Sequence, residues 1–242
     1  MTRPADQETL EIIRNNWQQV CDDVADACKQ AGRDPTEVTI VGVAKYVDAA
    51  LTAQLAAAGC TIIGENRPQV LWEKFDWFQQ NGIAMPRWHM IGHLQRNKVR
   101  RTLASVNMIQ SVDSVRLAKE LSDEAVRQNR EVDFLVDVNL TQDATKTGIG
   151  REELATQASA LSDLPNLRWC GLMAMSSLDA DSATIANEFS EVRKLRDELQ
   201  QSLVGKSDLR ELSMGMSGDY REAIAQGATL VRIGTRLWNG IL

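Results

Sequence analysis

Eight short apolar runs alternate with longer helix-type segments along this chain, and no other feature restricts its architecture as much. The runs are Val38–Ala44, Thr61–Ile63, Trp88–Ile91, Val106–Ser111, Val132–Asn139, Leu167–Leu172, Glu211–Met214 and Leu230–Ile233. The first, ending VTIVGVAK, lacks polar alternation, as a strand covered on both faces in a parallel sheet does. Helical stretches lie between the runs, among them Ala49–Ala58, Ser114–Asn129, Arg151–Leu161, Ala183–Leu203 and Asp219–Gln226. An opening segment, Gln7–Gly32, spaces Leu10, Ile13, Trp17, Val20, Val24 and Cys28 three and four apart, one apolar helical stripe. Eight strands alternating with helices in 242 residues point to an α/β fold, a single (β/α)8 TIM barrel rather than a doubly wound open sheet. With no Pro/Gly/Ser linker in sight, residues 1–242 read as a single domain. Only Thr235–Leu242 follow the last run, so the N-terminal helix is expected to cover the gap a final helix would fill.

Composition narrows the function classes. A net charge of −6 argues against general nucleic-acid binding, which requires a basic face. It leaves room for a small phosphate held by backbone N–H groups. No run approaches the length of a membrane span, the N-terminus has no apolar signal core, and a cytoplasmic location is the expectation. The four cysteines, Cys21, Cys28, Cys60 and Cys170, form no C-x-x-C pair and read as free thiols.

In barrels, chemistry collects at the C-terminal ends of the strands. Those ends are rich here in glycine, hydroxyls and amides: Gly64-Glu65-Asn66, Gly92-His93, Ser111, Asn139, Gly215-Met216-Ser217 and Gly234-Thr235. They include a single lysine, Lys45. An amine at the edge of a core is nucleophilic toward aldehydes when desolvation disfavours its charged form. The plain alternative is a snorkelling lysine at a strand end.

A barrel phosphate is commonly held by the loops after strands seven and eight. Here these are SMGMSGD (Ser213–Asp219) and RIGT (Arg232–Thr235). Their glycines permit close backbone approach, and Ser217 and Thr235 add hydroxyl donors. Arg232 interrupts an apolar run, so it requires either a carboxylate partner, with Glu211 the nearest candidate, or a ligand. Lysine, phosphate-type loops and a buried arginine together suggest pyridoxal phosphate, whose aldehyde joins a lysine while an Asp or Arg meets the pyridine nitrogen.

The sequence resembles, over nearly its whole length, the pyridoxal-phosphate homeostasis proteins (the YggS/PROSC family). The matching pieces are VGVAK (Val41–Lys45), IGENRPQ (Ile63–Gln69), WHMIGHLQRNK (Trp88–Lys98), SVDS (Ser111–Ser114), TKTG (Thr145–Gly148), GLM (Gly171–Met173), LSMGMSGDY (Leu212–Tyr220) and VRIGT (Val231–Thr235). The resemblance implies one barrel related to the N-terminal domain of alanine racemases, with Lys45 as the Schiff-base lysine. It further implies Ser217, Gly234 and Thr235 as phosphate contacts, Arg232 as the partner of the ring nitrogen, and Asn66 as a pocket residue. Ala44 stands where many relatives have Ser, and Tyr46 where Thr is frequent.

Other polar groups have plainer readings. His89 and His93 lack the glutamate of a metalloprotease motif, and packing or hydrogen bonding beside the pocket suits them better than metal. Arg96, Lys98, Arg100 and Arg101 read as a solvated face or an attraction for an anionic partner. Lys146 is either a surface lysine or a second aldehyde site.

Two functions compete: a non-catalytic carrier that holds the cofactor as a Lys45 aldimine for buffering or delivery to apo-enzymes, and an amino-acid racemase or lyase. Racemisation requires acid/base groups on both faces of the substrate carbanion. The racemase's second, tyrosine-bearing domain is not in this sequence. Of the only two tyrosines, Tyr46 would point away from Lys45 if the strand continued, and Tyr220 lies beyond the phosphate loop. An arginine at the ring nitrogen also weakens the ring as an electron sink. The carrier reading is preferred, with no membrane or nucleic-acid partner and a monomeric state.

Overall fold

The computed structural model describes residues 6–139 and 147–242. Its eight parallel strands close in sequence order, each pairing with the next and the last with the first. They are β1 (Thr39–Val43), β2 (Ile62–Glu65), β3 (Arg87–Met90), β4 (Met108–Val112), β5 (Val132–Asp137), β6 (Leu167–Met173), β7 (Glu211–Met216) and β8 (Leu230–Ile233). Closure is set by the pairing of Thr39–Gly42 with Leu230–Ile233. Each expected apolar run carries one strand, within a few residues at its ends, so the barrel expectation holds.

The helices are α1 (Gln7–Gln30), α2 (Ala49–Ala57), α3 (Pro68–Gln80), α4 (Val99–Ser105), α5 (Val115–Arg127), α6 (Arg151–Ser162), α7 (Ser182–Ser202) and α8 (Tyr220–Ala225). Side chains at their starts satisfy otherwise free N–H groups: Asp48 accepts from Leu51 at 2.9 Å, and Asp181 from Thr184 at 2.8 Å. α1 packs on α2, α8 and the closing 3-10 turn Thr235–Trp238, so it fills the expected gap in the outer ring. Arg33, just beyond α1, donates to the carbonyls of Ile224 and Ala228 at 2.9 and 2.7 Å and secures that seam.

Strand alternation divides the buried residues into two sets. Outward-facing Ile63, Ile109, Phe134, Leu172 and Val231 join the helices in the main core. Inward-facing Val41, Ile62, Met108, Leu135, Met173 and Leu230 form a smaller apolar plug inside the barrel. Two residues further along three of those strands, the inward position turns polar: Gln110 after Met108, Asp137 after Leu135 and Arg232 after Leu230. The barrel is therefore apolar low in its interior and polar toward the mouth.

Candidate functional site

Lys45, Asn66, Ser217, Arg232, Gly234 and Thr235 all line one cleft of about 470 Å³ at the C-terminal mouth of the barrel. β1 ends at Val43, and the chain turns at once: the Ala44 carbonyl accepts from the Val47 N–H at 3.2 Å. Lys45 and Tyr46 are the central residues of that turn. The Lys45 side chain is half-buried, and its amine lies 4.8 Å from the centre of the Tyr46 ring. Among the described residues, no carboxylate lies within ion-pair distance of that amine.

This turn corrects the expectation for Tyr46. Because the strand stops, the alternation that would send consecutive residues to opposite faces does not apply, and Tyr46 lines the same cleft as Lys45. Tyr220 is buried instead, and its hydroxyl accepts from Arg236 at 3.0 Å.

Asn66 follows β2. Its side-chain oxygen is buried with no hydrogen-bond partner among the described residues, a costly state for an acceptor at a ligand-sized cleft. Gly92 packs directly on it; a Cβ there would lie 2.3 Å from the Asn66 carbonyl oxygen, so only glycine fits.

Across the cleft, the loop after β7 is fixed by Asp219, whose carboxylate accepts from the Met216 N–H at 2.5 Å and from the Ser176 hydroxyl at 2.6 Å. Gly215 enters the loop with φ of +90°, a conformation that favours glycine. The Ser217 hydroxyl accepts from the Gly234 N–H at 3.2 Å, joining the two loops expected to hold an anion. Trp238 donates from its ring to the Val43 carbonyl at 2.8 Å and ties this corner to the end of β1.

Arg232 is buried and donates to the Ser213 carbonyl and hydroxyl at 2.7 and 2.8 Å and to the Ala174 carbonyl at 2.9 Å. It does not pair with Glu211, which accepts from the Thr229 hydroxyl at 2.5 Å. Burial pulls its pKa down to about 10 against the opposing pull of Asp137 and Asp219, so the guanidinium stays charged at neutral pH. The Ser213 hydroxyl donates onward to Gln110 at 2.6 Å, and the Gln110 amide faces His89 Nδ1 at 2.8 Å. The result is a polar chain across the barrel from β8 to β3.

The remaining candidates sit elsewhere. His89 lies in that interior chain, while His93 is exposed, with Nδ1 2.7 Å from the Asp113 carboxylate. Arg101 pairs with Asp76 at 2.7 Å and stacks 4.8 Å from the Trp72 ring, which Lys98 also faces at 5.7 Å. All four cysteines are free. Lys146 lies outside the described residues. No helix is long and apolar enough to cross a membrane among the described residues. Gln110, Ser213 and Asp137 support Arg232 from the barrel interior, and of the three only Ser213 falls in a loop that the sequence singles out.

The donor set suits a molecule bearing an aldehyde, an anionic group and a ring acceptor. The Lys45 amine shares this cleft with the Ser217 and Thr235 hydroxyls, the Arg232 guanidinium and the Asn66 amide.

Comparison with known proteins places this barrel in a defined class: residues 9–240 match the family described as alanine racemase, N-terminal domain. The chain is 35% identical over 219 residues to the pyridoxal phosphate homeostasis protein of Aquifex aeolicus, covering 90% of this chain and 94% of that one. It is 33% identical over 229 residues to the Escherichia coli K12 protein of the same name, with 95% and 97% covered. The structure of PipY from Synechococcus elongatus with PLP bound matches at a TM-score of 0.80 and 33% identity, over 88% of this chain and 99% of that one. Alanine racemase of Clostridium difficile shares the fold at a TM-score of 0.69 and 15% identity, and 56% of its length is matched. This chain belongs to the pyridoxal phosphate homeostasis protein family.

Proposed function

We propose that this protein binds pyridoxal 5'-phosphate in the Lys45 cleft and serves intracellular cofactor homeostasis, buffering the cofactor or delivering it to apo-enzymes without significant catalysis. The observation that carries the reading is the convergence of Lys45, Asn66, Ser217, Arg232, Gly234 and Thr235 on one cleft. When bound, the cofactor supplies an aldehyde that condenses reversibly with an amine. The protein's part is to present that amine, orient the ring and hold the phosphate. Lys45 presents an amine on a half-buried side chain that pairs with no carboxylate among the described residues. Ser217, Gly234 and Thr235 supply hydroxyl and backbone donors to the phosphate. Arg232, charged and fixed by neutral acceptors, meets the ring nitrogen and opposes its protonation, which keeps the ring a poor electron sink. Residues 1–242 act in this reading as one binding domain in the cytoplasm.

Tyr46 gives substance to a second reading, an amino-acid racemase or lyase, because a phenol beside Lys45 is an acid/base group in the right cleft. One set of measurements separates the two. Purified protein given pyridoxal phosphate is expected to show a visible chromophore that borohydride reduces onto Lys45, as located by peptide mapping, and Lys45→Ala is expected to lose it. Cofactor should pass to an apo-enzyme faster than dilution alone releases it. Robust racemisation of alanine or serine that Lys45→Ala abolishes would replace the carrier reading with the enzyme reading. Absence of any label at Lys45 would end both.

A further inference from the structure

Lys74, in the second turn of α3, is only 2% exposed, and Glu65 at the end of β2 is 0% exposed. Lysine and glutamate are almost never buried so fully without partners. Here they partner each other in a close ion pair. Each also makes one contact with backbone. The Lys74 ammonium donates to the Ala44 carbonyl at 2.7 Å. The second Glu65 oxygen accepts from the Asn66 N–H at 3.3 Å.

Those two backbone contacts lie at the ends of the neighbouring strands β1 and β2, where the Ala44 N–H also donates to the Gly64 carbonyl at 3.1 Å. Ala44 is the first residue of the turn whose centre is Lys45 and Tyr46, and its carbonyl is the one that also receives the Val47 N–H. Asn66 carries the orphan side-chain oxygen. One buried ion pair thus joins the turn that presents the amine to the strand end that presents the amide. Such a pair contributes little net stability, since desolvation offsets most of the attraction. Its distinctive effect is direction: a charged donor on a carbonyl fixes a peptide plane more strongly than a neutral one.

We infer that Lys74 and Glu65 are positioning residues, holding the Ala44–Lys45 peptide and Asn66 in register so that the Lys45 amine is aimed into the cleft. The inference rests on Lys45 being the cofactor-bearing amine.

The test is the double variant Lys74→Met/Glu65→Gln, which removes both charges and leaves neither buried alone, while Gln retains an acceptor for the Asn66 N–H. Thermal unfolding and circular dichroism establish that it folds. Three readouts follow in the folded protein: hydrogen exchange at the Val47 amide, reductive methylation of Lys45 by formaldehyde and cyanoborohydride without cofactor, and the rate of pyridoxal phosphate capture. Misplacement of a reacting group is costly in rate, so capture is expected to slow about tenfold, with a changed methylation rate at Lys45 and faster exchange at Val47. A merely structural role would lower the melting temperature and leave these three unchanged, and that result overturns the inference. Should the double variant not fold, wild-type protein decides: an unprotected Val47 amide overturns it, and a strongly protected one supports it. If wild-type protein takes no borohydride label at Lys45, the functional reading fails. Unchanged rates in a variant that still labels there sink the positioning role alone.

Discussion

Arg232 and Ser213 share two hydrogen bonds, from one guanidinium nitrogen to the serine carbonyl at 2.7 Å and to its hydroxyl at 2.8 Å. A buried arginine usually spends its charge on a carboxylate. Here neutral acceptors make the hydrogen bonds that hold the group at the cleft, while the nearby Asp137 and Asp219 carboxylates favour its charged form. The serine hydroxyl, having accepted, donates to Gln110, which makes the orientation of Arg232 depend on a side chain from the far wall.

Ser213→Ala therefore removes more than one contact. It takes an acceptor from Arg232 and leaves the buried Gln110 oxygen unpaired, at a cost of about 1–3 kcal/mol. The expected outcome is a lower melting temperature together with weaker pyridoxal phosphate retention or a shifted absorption maximum. Arg232→Gln is expected to weaken retention or shift the spectrum while the barrel stays folded. An Arg232→Gln protein that binds the cofactor with wild-type affinity and spectrum would remove the guanidinium from the ring-binding role.

Phosphate recognition is tested by omission. Ser217 and Gly234 are already joined, so the two loops present a prepared corner rather than one assembled on binding. Pyridoxal without its phosphate forfeits several charge-assisted hydrogen bonds, each worth up to about 1.5–3 kcal/mol. It should bind much more weakly than pyridoxal phosphate by titration, and Ser217→Ala should narrow the gap. Equal affinities for the two compounds would place the phosphate elsewhere.

The fold was legible because each strand is a compact apolar run and because strand ends are adjacent in sequence to the loops that carry chemistry. Lys45, Ser217, Arg232 and Gly234-Thr235 could be placed at one mouth of the barrel for that reason, and they line one cleft there. α3 could not be read, since Glu73 and Lys74 interrupt its stripe of Leu71, Trp72 and Phe78. Lys74 itself looks like any solvated helical lysine until the fold buries it. Gln110 and Asp137 were hidden differently: polar residues at alternate positions of a strand ordinarily face water, and only closure of the barrel turns them inward. Tyr46 escapes the alternation rule because β1 ends at Val43, a boundary that the run through Lys45 does not mark.

Tyr46→Phe tests what the phenol does beside Lys45. The ring faces the Lys45 amine with or without its hydroxyl, so cofactor binding should survive with little change. Any trace turnover of amino acids in the wild-type protein should vanish if the phenol supplies a proton. Steady-state assays with racemic and single-enantiomer alanine read this directly. Turnover that persists in Tyr46→Phe would show that another group acts as the acid/base.

The barrel interior also contains two titrating groups with opposite effects on stability. Burial, with a smaller contribution from Arg87, pushes the His89 pKa from 6.5 down to about 3. The unfolded chain therefore binds the extra proton between those values, and stability is lost as pH falls from about 6.5 toward 3. Burial raises the Asp137 pKa from 3.8 to about 7, opposed by Arg232 and Thr147 and reinforced by Asp113. Here the folded protein binds the extra proton, so stability falls as pH rises from about 4 to about 7. Between about pH 4 and 6.5 the two slopes oppose each other, each reaching at most about 1.4 kcal/mol per pH unit. Relative to wild-type protein, Asp137→Asn should become progressively more stable as pH rises through that window, and His89→Gln progressively less so. Urea unfolding across the window gives the two difference curves. Flat curves for both variants would mean that neither side chain changes its proton affinity on folding, and the polar tier would lose its place in the pH dependence of this barrel.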